Sequence, residues 1–166
     1  MAIVFKHPNP TDAASVDAFE TRVGRRLPSA FRSLLIAVSN GGEVESAALK
    51  SFAPLGVVAM LGIERGDRLD IEDRLSLGRE EDLTEGLIPI ADAEGGNLVC
   101  LSLRTHDFGA VWFWDHELEG EAAMTLLSDP FEEFIGNLVP YDEISDAGPA
   151  PVVTSMWVNP AFRDLK

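Results

Sequence analysis

The chain has 166 residues, 46% of them hydrophobic and 25% charged, with one cysteine and a formal net charge of −15. This is the balance of one ordinary globular domain, not of a disordered or fibrous chain. The acid excess, with a pI near 4.4, excludes a nucleic-acid binder working by phosphate neutralisation and argues against docking on anionic lipid; the lone Cys100 excludes a disulfide framework and a multi-cysteine zinc site.

The first predicted element is a helix over Asp12–Val23, where Val16, Phe19 and Val23 recur at helical spacing and Leu27 continues the stripe. Gly24 weakens it, and Arg25-Arg26 follow where cations favour a helix C-terminus. A second helix is predicted over Ser29–Ser39, with Pro28 suited to its first turn and Phe31, Leu34, Leu35 and Val38 forming one buried face. Asn40-Gly41-Gly42 stops it, because Asn and Gly tolerate the left-handed conformation. Val44–Ala48 and Val57–Gly62 read as strands broken by Pro54-Leu55-Gly56. The stretch from Glu64 to Glu85 holds nine acidic and four basic residues, and a short solvated helix is expected around Asp70–Leu77.

The strongest β signal comes next. Leu87–Ala91, Leu98–Leu103 and Ala110–His116 read as a three-stranded antiparallel meander joined by Asp92–Asn97 and Arg104–Gly109, the middle strand apolar on both faces. The last helix is predicted with Asp129 as N-cap, Pro130 in the first position and Glu132 three residues past the cap. Phe131, Phe134, Ile135 and Leu138 form its apolar stripe, and Pro140 ends it. Residues 142–166 read as a linker and a C-terminal segment that packs back on a domain spanning 1–141, with Val152–Val158 as a strand or cover. Helices before and after a run of strands predict an α+β fold: a single domain with a central, mostly antiparallel sheet flanked by helices.

Pro54, Gly56 and Gly62 interrupt the longest apolar stretches before any could cross a bilayer, and the N-terminus lacks a signal-peptide layout, so a cytoplasmic protein is expected. No nucleophile elbow, Walker A loop or zinc-protease motif is present. Turns explain Gly41-Gly42 and Gly95-Gly96, since neither pair lies between a strand and a helix N-terminus. His116 sits in Trp114-Asp115-His116-Glu117, but neighbours on a strand point to opposite faces, so a hydrogen-bonded histidine is expected there and no metal ligand set. Cys100 lies in an apolar strand and should behave as a small hydrophobe. With 28 acids, close pairs such as Glu80-Glu81 arise by chance, so neither a catalytic set nor a cofactor is predicted.

One distribution stands out. From Asp107 to Asp146 there are eleven acidic residues and no Lys or Arg, whereas the first helix pair carries Arg22, Arg25, Arg26 and Arg32. Such a surface serves solubility, or it is an acidic docking face for a basic protein, where complementary fields raise the association rate. The candidate partner-binding residues are Asp115, Glu117, Glu119 and Glu121 after the aromatic strand, with Asp142 and Asp146 after the last helix.

The order of several short motifs resembles the SUKH superfamily, which includes bacterial immunity proteins and the yeast cell-wall-synthesis regulator domain. The run Phe19-Glu20, Val23-Gly24, Leu27-Pro28, Phe31 and Leu34-Leu35 leads into Asn40-Gly41-Gly42. In the second half follow Ile88-Pro89-Ile90-Ala91, Gly96-Asn97, Gly109-Ala110-Val111, Trp112 to Glu117, and Phe131-Glu132-Glu133-Phe134-Ile135. The resemblance covers about residues 12 to 139, is poor over 43–85 and leaves out the tail after Tyr141. It implies an α+β fold and a non-catalytic protein that binds and neutralises a cognate secreted toxin, often a basic nuclease or deaminase. It also implies mainly structural roles for Glu20, Leu27, Pro28, Asn40, Gly41, Gly42, Gly96, Trp114 and His116. The alternative it leaves open is an intracellular regulatory or scaffold module like the yeast relative.

Overall fold

The computed structural model describes residues 4–49 and 55–140. The expected tail, 142–166, lies outside the described residues, as does Pro54 of the expected strand break. Among the described residues, seven strands form one sheet: β1 (Gly42–Leu49), β2 (Gly56–Met60), β3 (Leu87–Ala93), β4 (Leu98–Ser102), β5 (Val111–Trp114), β6 (Met124–Ser128) and β7 (Leu138–Pro140). Their order is β6-β5-β4-β3-β2-β1-β7, and every pairing between them is antiparallel. Four helices accompany the sheet: α1 (Ala13–Val23), α2 (Ser29–Ala37), α3 (Ile71–Glu80) and α4 (Phe131–Asn137). The α+β architecture expected from the sequence is therefore the one observed.

Local chemistry accounts for the element ends. Asp12 caps α1, its Oδ1 accepting from Ser15 N at 2.7 Å, and Gly24 closes it at φ 70°, where a Cβ would be strained. Asp70 caps α3 in the same way through Glu72 N at 2.9 Å. α4 differs from expectation. Pro130 occupies its N-cap in extended backbone and no side chain caps the helix, so its start moves one residue past the position that Asp129 would have capped. The helix stops at Asn137, and Leu138–Pro140 pair with β1 as β7. α2 also ends early, at Ala37, which leaves Val38 exposed instead of on the buried face.

The main core lies on one face of the sheet. Val16 and Phe19 of α1, Phe31 and Leu35 of α2 and Phe131 and Phe134 of α4 pack there against Val57, Ala59, Ile88, Ile90, Val99, Leu101 and Val111. Phe31 and Phe131 meet edge-on with centroids 5.4 Å apart, a favoured aromatic geometry. The alternate residues of the same strands form a smaller cluster on the opposite face: Leu87, Leu98, Cys100 and Trp114, joined by Leu83 and Ala123.

Candidate functional site: a half-open cleft on the second sheet face

β5 reads Val-Trp-Phe-Trp, and the two-residue period of a strand sorts it. Val111 and Phe113 join the helix-covered core, while Trp112 and Trp114 face the other way. The register sets Leu98 beside Trp114, Cys100 beside Trp112, and Met124 and Leu126 across from Trp114 and Trp112. Trp114 is buried, Trp112 and Met124 are half-buried and Leu126 is exposed. Burial pushes the Cys100 thiol well above its ordinary range, consistent with the small hydrophobe expected there.

Over this floor opens a cleft of about 1100 Å³. Glu81, Asp82 and Thr84, between α3 and β3, form one wall. Leu118, Glu119 and Glu121, between β5 and β6, form another, and Arg104, His106 and Asp107 of the β4–β5 turn close one end. At that end the Asp107 carboxylate accepts from Ser102 Oγ at 2.6 Å, from Arg104 Nε at 2.9 Å and from Trp112 Nε1 at 3.0 Å, and it also pairs with Arg104 Nη2. Burial pushes this carboxyl up, but the hydrogen bonds from Arg104, Ser102 and Trp112 outweigh burial and hold it at about 2. The Arg104 guanidinium lies over the Trp112 ring, 5.5 Å from its centroid.

The sequence-predicted acidic residues divide. Glu119 and Glu121 line the cleft. Glu117 is exposed on the same connection, beside the cleft rather than in its lining. Asp115 serves the turn: its Oδ1 accepts from Glu117 N at 3.0 Å, while its own N donates to the Ala123 carbonyl at 2.9 Å. Asp142 and Asp146 lie outside the described residues. Among the described residues, no ion pair involves any acid from Asp115 to Glu133. The arginines of the helix pair are by contrast engaged: Arg22 with Glu64 and Glu72, Arg26 and Arg32 with Glu20, and Arg25 with the Leu103 carbonyl. The negative charge after β5 thus stands without internal compensation from described cations.

The residues carrying the family resemblance lie at structural joints. Buried Glu20 accepts from Leu27 N at 2.8 Å and from Arg26 at 2.9 Å, tying the end of α1 to the start of α2, with Leu27 and Pro28 both buried between them. Asn40 pairs its side-chain amide with the Ile63 backbone in both directions, at 2.7 and 2.8 Å. Gly41 has φ 71°, and a Cβ there would come within 2.6 Å of the Leu61–Gly62 backbone, so glycine is required on both counts. Gly42, also at positive φ, begins β1. Gly96 lies under His116, whose Nδ1 is 2.9 Å from Asn97 Oδ1, which makes His116 the hydrogen-bonded histidine expected at that strand end. Among the described residues no group of three or more His, Cys, Asp or Glu is placed to hold a metal ion.

The sequence reading sets Glu80-Glu81-Asp82 aside as a chance cluster of acids and gives no role to Trp112 as a floor or to the Arg104–Asp107 pair. The alternation Trp112–Phe113–Trp114 was the available signal for the floor. Nothing local signals that the Glu81–Asp82 segment lines the same cleft as Glu119 and Glu121.

Residues 10–137 match the SMI1 / KNR4 family (SUKH-1). A 54-residue stretch is 43% identical to the SPbeta prophage-derived uncharacterized protein YokK of Bacillus subtilis (strain 168), covering 32% of this chain and 27% of that protein's length.

Proposed function

The chain belongs to the SMI1 / KNR4 family (SUKH-1), and from that premise we propose that it is an immunity-type binding protein: it neutralises a cognate secreted bacterial toxin by direct contact through an acidic face, without chemistry of its own. The observation that carries this reading is the run Glu117, Glu119 and Glu121, exposed at a half-open cleft and free of ion pairs among the described residues. An uncompensated single-sign face repels itself and does little for the fold, but it accelerates encounter with a basic protein, and an inhibitor must arrive before its target acts. A basic toxin domain, a nuclease or deaminase, is the partner this field suits. The relative in a Bacillus prophage supports a bacterial setting, in which the protein would work in the cytoplasm of the producing cell.

The test is co-expression with the toxin domain encoded beside the gene. The chain should restore growth, and the charge reversal Glu117→Lys/Glu119→Lys/Glu121→Lys should slow association by an order of magnitude or more at low salt, the gap closing as salt rises. An association rate indifferent to both the substitutions and the salt overturns the acidic-face reading; failure to protect against the adjacent toxin overturns the immunity reading.

A further inference from the structure

The two faces of the sheet are covered unequally. α1, α2 and α4 cover one, whereas on the other Trp112 and Met124 lie half-buried in the lining of the cleft, and Leu126, directly across from Trp112 on β6, is 51% exposed beside it. Glu81, Asp82, Glu119 and Glu121 line the same cleft, all four exposed and none in an ion pair with a described residue. The cation at the end of the cleft, Arg104, is already matched by Asp107.

We propose that this cleft receives an arginine-bearing segment of the protein partner, a guanidinium entering among Glu81, Asp82, Glu119 and Glu121 while its stem lies on Trp112 and Met124. The proposal rests on the reading above that a protein is held on this side of the molecule, and it names the chemistry of the segment that is held. Charge complementarity selects the occupant. An apolar segment would strip water from four carboxylates without replacing it, and an acidic one would be repelled. A basic segment satisfies the walls, and its aliphatic stem covers apolar floor. Arginine fits better than lysine, because a planar, weakly hydrated guanidinium pairs with carboxylates two bonds at a time and stacks on indole. The molecule holds an internal example of that pairing: Arg104 lies over Trp112 while bonded to Asp107.

The test is fluorescence anisotropy of a labelled hexa-arginine peptide titrated with the full chain. Glu119→Gln/Glu121→Gln and Glu81→Gln/Asp82→Asn should each weaken binding about tenfold, the sum expected of a few half-screened ion pairs. Glu132→Gln/Glu133→Gln, the same change in charge on α4 and outside the cleft lining, should weaken it less than about twofold. No binding, or equal loss in all three variants, overturns the proposal, since the second result means that only net charge is sensed. A hexa-lysine peptide binding as tightly as hexa-arginine overturns the guanidinium assignment. Failure here is separable from failure of the toxin reading. Cells protected equally by the chain and by Glu119→Gln/Glu121→Gln, with no peptide binding, remove the cleft and keep the toxin. Peptide binding lost in the cleft variants, without protection of cells, keeps the cleft and removes the toxin.

Discussion

The helix-covered face of the sheet and the open face obey opposite rules. On the covered side Phe19, Phe31, Phe131 and Phe134 are fully buried, and the buried carboxylate of Glu20 is bonded to a backbone N–H and to two arginines. On the open side Trp112 and Met124 are half-buried, Leu126 is exposed, and Glu119 and Glu121 have no cation partner among the described residues. The carboxylate buried on the first side is matched by donors; on the second, apolar surface and charge are both left exposed. If the open face is the docking surface proposed above, the division separates stability from recognition, and substitutions on the two sides should fail in different ways.

The largest effect is expected from Phe134→Ala. Phe134 is wholly buried in α4, 6.2 Å from the Phe131 ring, and removing it leaves a cavity among side chains held by three helices. A loss of about 3–5 kcal/mol in unfolding free energy is expected by urea denaturation. Next comes Glu20→Ala, which strands the buried Leu27 N–H and takes one partner each from Arg26 and Arg32, and should cost about 1–3 kcal/mol. Glu121→Ala should shift stability by no more than about 0.5 kcal/mol, since it breaks no bond within the fold. Equal costs for Glu20→Ala and Glu121→Ala would erase the distinction between the two faces.

What the sequence made legible follows the same division. α1, α2 and α4 could be read because each buries a stripe against a single flat partner, so Val16–Phe19, Phe31–Leu35 and Phe131–Phe134 recur at helical spacing. The meander of β3, β4 and β5 could be read because β4 is flanked on both sides and apolar throughout. β6 escaped because Met124-Thr125-Leu126-Leu127-Ser128 is short and set at the sheet edge: Leu127 packs on the core and Leu126 is exposed, although both are leucine. β7 escaped because Leu138 continues the helical stripe of α4 while its backbone is already extended. In the cleft, the acids after β5 were visible as charge density along the chain. The place of Glu81 and Asp82 in the same cleft and the bonding of Asp107 to Trp112 depend on tertiary contacts that no local period encodes.

Asp107 closes one end of the cleft on the open side, and acid should test its bonds. Its carboxyl is held at about 2, below the ordinary 3.8, so the folded state binds this proton less readily than the unfolded chain does. The sign follows: the contribution is complete above pH 4 and is lost as pH falls from about 4 through 2. Asp107→Asn lacks it, so the stability gap between the natural chain and the variant, measured by urea unfolding at pH 6, 3.5 and 2.5, should narrow with acid. A gap that stays constant over that range would mean that Arg104, Ser102 and Trp112 do not hold an ionised carboxylate.

The smallest effect on the fold is expected at Leu126, where the comparison between the faces is sharpest. Leu126 stands directly across from Trp112 with half its surface in water. Leu126→Ser therefore opens no cavity, and its effect on unfolding free energy should stay within about 0.5 kcal/mol. Leu35→Ala, a leucine truncated on the covered side, should cost about 2–5 kcal/mol. If the open floor is a docking surface, Leu126→Ser should instead speed dissociation of the bound partner severalfold while leaving the association rate near that of the natural chain, because it changes contact area and not charge. A leucine that costs little to the fold and much to the complex places recognition on this face. One that destabilises the fold like Leu35 would mean that the second face is core after all.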